Sequence, residues 1–201
     1  VRNYIWVTGN LSLEAKDLDF NELRNMTKIF GEFIEVFSQN SDDELTLIEI
    51  VKGLSRLSEV TDSDVQKIIT SKPGLISTMC SLLTHKNFEV YESALRYIGG
   101  ILSGDDPIIL QLVLSNNIIE KITQVMFSAN TSVIKEGLWT LSNLTASGTD
   151  YTSAFVNSNA ANRVLSLSTH SNLNLQLEAC WVLANAVTCG TEEDVHTLCH
   201  I

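Results

Sequence analysis

The chain has 201 residues, 44% of them hydrophobic, and carries a formal net charge of −11 from 24 acidic and 13 basic side chains. This hydrophobic fraction excludes wholesale disorder, and the negative balance disfavours direct nucleic-acid binding, because phosphate recognition needs a basic surface. The sequence shows neither a signal peptide nor an apolar run of roughly 18 residues, so no membrane partner is expected.

Five eleven-residue windows with a similar apolar pattern recur along the chain. They begin at Val1, Leu47, Tyr91, Ile134 and Gln176, and their sixth residues are Trp6, Lys52, Arg96, Trp139 and Trp181. The steps between these sixth residues are 46, 44, 43 and 42 positions. A period in the low forties is typical of armadillo and HEAT helical repeats. The sequence therefore predicts an all-α repeat array.

Apolar segments with the three-and-four spacing of an amphipathic helix precede the later windows, as at 118–126. We expect each repeat to contain a short helix, a middle helix and a long third helix that carries the window. Three glycines are expected to be helix C-caps, and the acidic residues after them to begin the next helix: Gly104, Gly148 and Gly190, followed by Asp105, Asp106, Asp150, Glu192 and Glu193. Residues 1–201 are expected to be a single array of about four to five repeats, cut within a repeat at both ends.

Three windows pair a Trp with an Asn four residues later, which places the two side chains on one helix face. The pairs are Trp6 with Asn10, Trp139 with Asn143 and Trp181 with Asn185. Two apolar stripes are expected to form the core beside the later pairs: Leu138, Leu141 and Leu144, and Cys180, Leu183 and Val187. Glu136 and Glu178 precede their Trp by three residues on the Trp/Asn face. Because polar Asn and Glu side chains share the helix face of each Trp, the sequence predicts a surface site there.

The chemistry of these side chains favours an extended basic peptide as the ligand. Parallel indoles form slots for the aliphatic stems of Lys or Arg, and each cation–ring contact contributes roughly 0.5–2 kcal/mol. An Asn amide both donates to and accepts from a peptide backbone, and a Glu pairs with the cationic head. Adjacent repeats are roughly 10 Å apart, close to the rise of three extended residues.

The windows resemble the armadillo domain of importin-α, the adaptor that reads nuclear localisation signals, from its fourth to its eighth repeat. RNYIWVTGNL is similar to the fourth repeat, ALRYIGGILSGDD to the sixth, KEGLWTLSNLTAS to the seventh and LEACWVLANAVTCG to the eighth. The resemblance covers essentially the whole chain. It implies a right-handed superhelical solenoid with the Trp/Asn pairs along its concave groove.

The resemblance also implies roles for particular residues and partners. It assigns a minor signal-binding site to six of them: Trp139, Asn143, Glu136, Trp181, Asn185 and Glu178. Arg96 would mark the boundary of that site, and Trp6 with Asn10 would be the last rung of a major site. Importin-β would bind through an N-terminal segment outside these residues, and an export receptor through later repeats. The expected location is the cytoplasm and nucleus, which agrees with cysteines that lack disulfide-framework spacing.

Three residues depart from the importin-α pattern. Lys52 and Arg56 stand where the family has Trp and Tyr in the fifth repeat, and Gly100 replaces an Asn in the sixth. Two such cations would repel a basic peptide by about 1 kcal/mol or less each. Lys52 and Arg56 are either solvated remnants or a new specificity element, and Glu49 could form a salt bridge with Lys52.

Other functional classes have less support in the sequence. An armadillo scaffold with non-import partners is the alternative, although the survival of Trp and Asn together argues against it. The His and Cys residues near Cys199 lack zinc-ligand spacing, so no metal or cofactor is expected. No nucleophile motif, phosphate loop or paired-carboxylate arrangement suggests an enzyme.

Overall fold

The computed structural model describes residues 1–39, 43–60, 67–68, 72–104 and 106–201, which are helical apart from their connections. They fall into two compact units, Val1–Gly104 and Asp105–Ile201. The first unit contains α1 (Arg2–Leu11), a 3-10 helix (Ser12–Asp17), α2 (Phe20–Gln39), α3 (Glu44–Ser58), α4 (Pro73–Leu82) and α5 (Phe88–Leu102). The second contains α6 (Pro107–Ser115), α7 (Ile118–Val125), α8 (Thr131–Ala146), α9 (Thr149–Val156), α10 (Asn159–Leu167), α11 (Leu173–Cys189) and α12 (Glu192–Leu198).

The helices of the second unit follow the predicted three-helix order twice. Short α6, middle α7 and long α8 are followed by short α9, middle α10 and long α11. All five sequence windows lie on helices, namely α1, α3, α5, α8 and α11. The predicted position of the windows on the long third helices is therefore confirmed in this unit.

In the first unit, a single 20-residue helix, α2, precedes the third helix α3. It begins with a reciprocal cap, in which the Glu22 N–H donates to Asp19 and the Asp19 N–H donates to Glu22, both at 2.9 Å. Buried residues three and four apart then keep one face on the core: Leu23, Met26, Phe30 and Ile34. A Cβ at Gly53 of α3 would lie 2.3 Å from Cζ of Phe30, so the two helices approach closely because position 53 has no side chain.

The helix boundaries agree with some of the predicted helix caps and not with others. Asp106 caps α6 by accepting from the Ile108 N–H at 2.9 Å, and Gly190 is the C-cap of α11. The prediction for Gly148 is wrong, because it is the N-cap of α9 with φ of 135°, a conformation that favours glycine. Gly104 lies one residue beyond the C-cap of α5, which is Ser103. Asp105 lies outside the described residues.

The predicted core stripe is confirmed in α8 and wrong in α11. Leu138, Leu141 and Leu144 are fully buried, whereas Cys180 is exposed, Leu183 is half-buried and Val187 is 53% exposed. The buried residues of α11 are instead Leu175, Ala179, Val182 and Ala186. Ala179 and Ala186 lie on the buried face of α11, whereas Cys180, Leu183 and Val187 each follow a buried residue by one position and so lie about 100° around the helix. The prediction chose the face with the larger apolar side chains.

Among the described residues, no helix is long and apolar enough to cross a membrane.

Candidate peptide-binding site

Two neighbouring helices of the second unit carry the most complete Trp/Asn pairs. α8 and α11 pack against each other, and each bears a Trp at the sixth position of its window. Trp181 is 57% exposed, and Trp139 is half-buried. Neither indole lies in the core, which is filled from the Leu138 side of α8 and the Val182 side of α11. The two rings are thus available to a ligand on the surface of this unit.

The amide of Asn185 is held by the neighbouring helix. Its Nδ2 donates to the carbonyl oxygen of Ser142 at 2.9 Å, a bond that bridges α11 and α8. This contact fixes the orientation of the side chain and leaves its carbonyl oxygen and second N–H for other partners. Asn143 is also half-buried, and its backbone carbonyl accepts from the Ser147 hydroxyl at 2.7 Å. The Asn185 amide therefore joins α11 to α8 while the side chain stays half-buried at the surface.

The two acidic residues that precede the Trp residues of the second unit, Glu136 and Glu178, are half-buried. Glu178 Oε1 lies 3.8 Å from Lys135 Nζ of α8, with side-chain exposures of 20% and 53%. Such a partly exposed pair contributes about 1 kcal/mol or less, so a peptide cation can displace Lys135 at low cost. Glu136 occupies the equivalent position on α8 and is half-buried. Both carboxylates lie three residues before their Trp, as the sequence indicated.

The first unit has an open cleft beside its single Trp. Trp6 is 57% exposed, and Asn10 one turn later is also exposed. The cleft has a volume of about 370 Å³ and is lined by Trp6, Glu49, Lys52 and Glu89 among other residues. Arg2 lies at its edge and pairs with Asp43, and this hydrogen bond lowers the pKa of the Asp43 carboxyl.

Both cations that replace family aromatics have partners within the first unit. Lys52 Nζ lies 2.5 Å from Glu89 of α5, so the predicted alternative of a Glu49–Lys52 salt bridge is wrong. Arg56 Nη1 donates to the Gly9 carbonyl at 2.8 Å and lies 3.3 Å from the Ser12 hydroxyl. A cation at the carboxyl end of α1 satisfies a terminal carbonyl and complements the helix dipole. These two side chains have structural roles that their sequence positions did not reveal.

In α5, close packing leaves no room for an Asn four residues after Arg96, at Gly100. A Cβ at Gly100 would lie 2.5 Å from Ser58 Oγ and 2.8 Å from the Ser58 carbonyl oxygen. An Asn at this position would therefore force α3 and α5 apart. Arg96 one turn earlier is exposed, and its Nε lies 4.0 Å from Glu59 Oε1. The sequence identified the missing Asn, but only the interhelical distance explains it.

Sequence reasoning missed Glu89 and Arg2 as lining residues of the cleft. Glu89 lies before the Tyr91 window and is out of register with Glu136 and Glu178, so the repeat gave no signal for it. In the described ranges, no group of three or more His, Cys, Asp or Glu side chains could hold a metal ion. The surface chemistry is that of indoles, amides and carboxylates.

Comparisons with known proteins place the chain among armadillo-repeat proteins. No family model matches it. It is 28% identical over 158 residues to importin subunit alpha-1a of Oryza sativa subsp. japonica, covering 78% of this chain and 28% of that relative. It is 25% identical over 190 residues to importin subunit alpha-2 of the same organism, covering 92% and 35%. It is 30% identical over 105 residues to importin subunit alpha-B of Dictyostelium discoideum, covering 52% and 19%. The chain thus spans about a third or less of these relatives' lengths.

Solved structures agree on the fold. An engineered protein superposes with a TM-score of 0.82 at 19% identity, over 96% of this chain and 78% of that one. A designed armadillo repeat protein in complex with the peptide (KR)4 superposes with a TM-score of 0.73 at 19% identity, over 96% and 86%. The predicted all-α armadillo fold and the resemblance to importin-α are both confirmed. The chain has the armadillo-repeat fold, and it is similar to importin-α subunits at 25–30% identity.

Proposed function

We propose that this chain binds Lys/Arg-rich peptides in an extended conformation on its Trp/Asn-bearing third helices, and that it reads nuclear localisation signals as an import adaptor. The observation that carries the proposal is that two packed helices each bear a Trp outside the core, Trp181 exposed on α11 and Trp139 half-buried on α8. The distant similarity to importin-α and the armadillo fold support a peptide-binding repeat scaffold. The nuclear signal as ligand is our proposal.

The helix pair α8 and α11 supplies the groups that a basic peptide needs. The aliphatic stem of a Lys or Arg packs between indoles, and its cation contacts a ring face for roughly 0.5–2 kcal/mol. The half-buried carboxylates of Glu136 and Glu178 pair with the cationic head. Asn185, already oriented by Ser142, uses its carbonyl oxygen to accept a peptide N–H. The proposed peptide-binding residues of the second unit are Trp139, Asn143, Trp181, Asn185, Glu136 and Glu178.

The first unit offers a smaller cation slot in the 370 Å³ cleft. Trp6 provides the ring and Glu49 the carboxylate, while Lys52 is neutralised by Glu89. Asn10 lies one turn from Trp6 on the same helix face and contacts the peptide backbone. Arg96 places a cation at the window position where α1, α8 and α11 have an indole. Trp6, Asn10 and Arg96 are the proposed peptide-binding residues of the first unit.

Titration calorimetry with a Lys-rich signal peptide tests the assignment. We expect Trp181→Ala and Asn143→Ala each to weaken binding by about 1–2 kcal/mol, through loss of a cation–ring contact and of a backbone hydrogen bond. Leu173→Ala is the control, because Leu173 is another solvent-facing apolar residue of the same helix, 75% exposed, and lies outside the proposed site. Equal affinities for the wild type, Trp181→Ala and Asn143→Ala would contradict the proposed site.

We further propose that the full-length protein, in the cytoplasm and nucleus, binds importin-β through a segment outside these residues. The support for this partner is the similarity to importin-α subunits, whose length greatly exceeds this chain. Pull-down of importin-β by the full-length protein, with the present chain as a negative control, tests it. Binding of importin-β by residues 1–201 alone would contradict the proposed division.

The alternative function is an armadillo scaffold with non-import partners. It is favoured by the contacts of Lys52 with Glu89 and of Arg56 with the Gly9 carbonyl. These two cations hold helices together at positions of α3 where importin-α has aromatic residues. Failure of every Lys-rich peptide to bind, with the fold intact, would favour this second candidate.

A further inference from the structure

A lysine of the second unit contacts a carboxylate that the proposed site uses for the peptide. Lys135 of α8 is the second residue of its window, and Glu178 of α11 is the third residue of the next window. The two helices pack against each other, and Lys135 Nζ lies 3.8 Å from Glu178 Oε1. Because Glu178 is proposed to pair with a peptide cation, Lys135 stands in the place of that cation in the unbound protein.

The two partners of this ion pair differ in their exposure to water. The Lys135 side chain is 53% exposed, whereas the Glu178 side chain is 20% exposed. Lys135 can therefore turn into water when another cation arrives, and it returns to Glu178 when that cation leaves. A group tethered to the same folded chain acts at a high effective concentration, so a peptide cation has to compete with it.

The other Lys and Arg residues of the second unit are Lys121 on α7 and Arg163 on α10. Arg163 donates to the Met126 carbonyl at 2.7 Å, and its guanidinium carbon lies 4.6 Å from the centre of the Phe127 ring. Neither α7 nor α10 carries a proposed peptide-binding residue. Lys135 is therefore the Lys or Arg of the second unit that is placed at the proposed site.

We propose that Lys135 is a built-in competitor of the peptide at Glu178, and that it lowers the affinity of the site on α8 and α11 for basic peptides. This inference rests on the proposed function. A peptide lysine that reaches Glu178 replaces one ammonium group with another, so the exchange gains little energy. The displaced Lys135 then repels the bound cation at short range. A neutral side chain at position 135 removes both effects and leaves Glu178 and the indoles in place.

Titration calorimetry of a Lys-rich peptide with the whole chain tests this role. We expect Lys135→Gln to lower the dissociation constant about threefold at low salt, and we expect this gain to shrink at high salt, where the charges are screened. Lys135→Arg keeps the cation and should bind the peptide as the wild type does. Lys121→Gln is the matched control, because it makes the same charge change on α7, and it should change the constant by less than about 1.5-fold.

A double-mutant comparison shows whether Glu178 is the group for which the two cations compete. In a Glu178→Gln background, adding Lys135→Gln should tighten binding by less than it does in the wild type, because position 178 then has no carboxylate. An equal gain in both backgrounds would overturn the competition at Glu178.

The outcomes separate this inference from the proposed function. Peptide binding by the wild type, with unchanged or weaker binding by Lys135→Gln, would overturn the competitor role and leave the peptide site standing. Equal gains in Lys135→Gln and Lys121→Gln would overturn it as well, because the effect would then belong to net charge. Absence of peptide binding by the folded wild type and by every variant would overturn both proposals.

Discussion

At the scale of single residues, Tyr97 of α5 carries an unusual buried phenol. Its side chain is fully buried, and its hydroxyl has no hydrogen-bond partner among the residues that the structure describes. Burial raises the pKa of the Tyr97 phenol, so the group stays neutral at all ordinary pH values. A neutral but unsatisfied hydroxyl still costs the free energy of its lost hydration.

We therefore expect Tyr97→Phe to raise the free energy of unfolding by about 1 kcal/mol, because it removes the unpaired oxygen and keeps the ring. Urea denaturation followed by circular dichroism measures the change. Tyr4→Phe is the control, since Tyr4 is 54% exposed and its hydroxyl stays in water. A destabilised Tyr97→Phe variant would show that the hydroxyl has a partner in solution.

Asp194 links stability to pH at the start of α12. Burial by itself raises the pKa of Asp194, but hydrogen bonds from the Thr191 N–H and from the Ser153 and Thr191 hydroxyls hold it below its usual value. The folded state therefore favours the ionised carboxylate more than the unfolded state does. The stability that Asp194 contributes is present above its unfolded pKa, about 3.9, and is lost as pH falls through the lower folded value.

We expect Asp194→Asn to lower the free energy of unfolding by about 1 kcal/mol at neutral pH. The difference from the wild type should disappear in strong acid, where both side chains are uncharged. Urea denaturation across this pH range measures it. Glu192→Gln, in the same first turn but exposed, should lower the free energy of unfolding at neutral pH by less than Asp194→Asn does. A difference that persists unchanged into strong acid would contradict the role of the carboxylate charge.

At the scale of helices, the sequence could predict what depends on local spacing and short-range chemistry. The windows lie on helices, Leu138, Leu141 and Leu144 form a core stripe, and Asp106 caps α6. The predictions that failed, or that the sequence could not make, depend on how neighbouring helices pack against each other. Val187 of α11 is exposed because the buried face of this helix, which includes Ala186, lies about 100° away. Periodicity alone cannot rank a face of small residues above a neighbouring face of larger apolar residues. The Trp/Asn faces were predicted as surfaces, whereas the Asn185–Ser142 bridge needed coordinates.

Gly100 shows how the distance between α3 and α5 excludes an Asn side chain from α5. We expect Gly100→Ala to lower the free energy of unfolding by about 1–3 kcal/mol, because its Cβ meets the Ser58 backbone, and Gly100→Asn to cost more. The clash outweighs the gain of about 1 kcal/mol that Ala brings to a helix interior. Thermal denaturation measures both variants.

Gly74→Ala is the matched control for this packing. Gly74 is exposed in the first turn of α4, and in the described part of the chain a Cβ there would meet only the flexible end of Glu35, at 3.1 Å. We expect it to be neutral or slightly stabilising. If Gly100→Ala were as harmless as Gly74→Ala, α3 and α5 would not be held at the distance that excludes Asn.

At the scale of the whole molecule, charge acts on the approach of a partner. A net charge of −11 attracts a basic peptide over a range set by the Debye length, about 10 Å at 0.1 M salt. Contacts made in the complex, such as a lysine stem against Trp181, hold the peptide after it has arrived. Charge is therefore expected to govern the association rate, and ring contacts the dissociation rate.

We accordingly expect added salt to weaken binding of a Lys-rich peptide mainly by lowering the association rate constant, with a much smaller change in dissociation. Trp181→Ala should do the reverse, raising the dissociation rate constant while leaving the salt dependence of association as it is in the wild type. Stopped-flow fluorescence of a labelled peptide separates the two constants. An affinity that does not change between low and high salt would show that apolar contacts, rather than paired charges, select the partner.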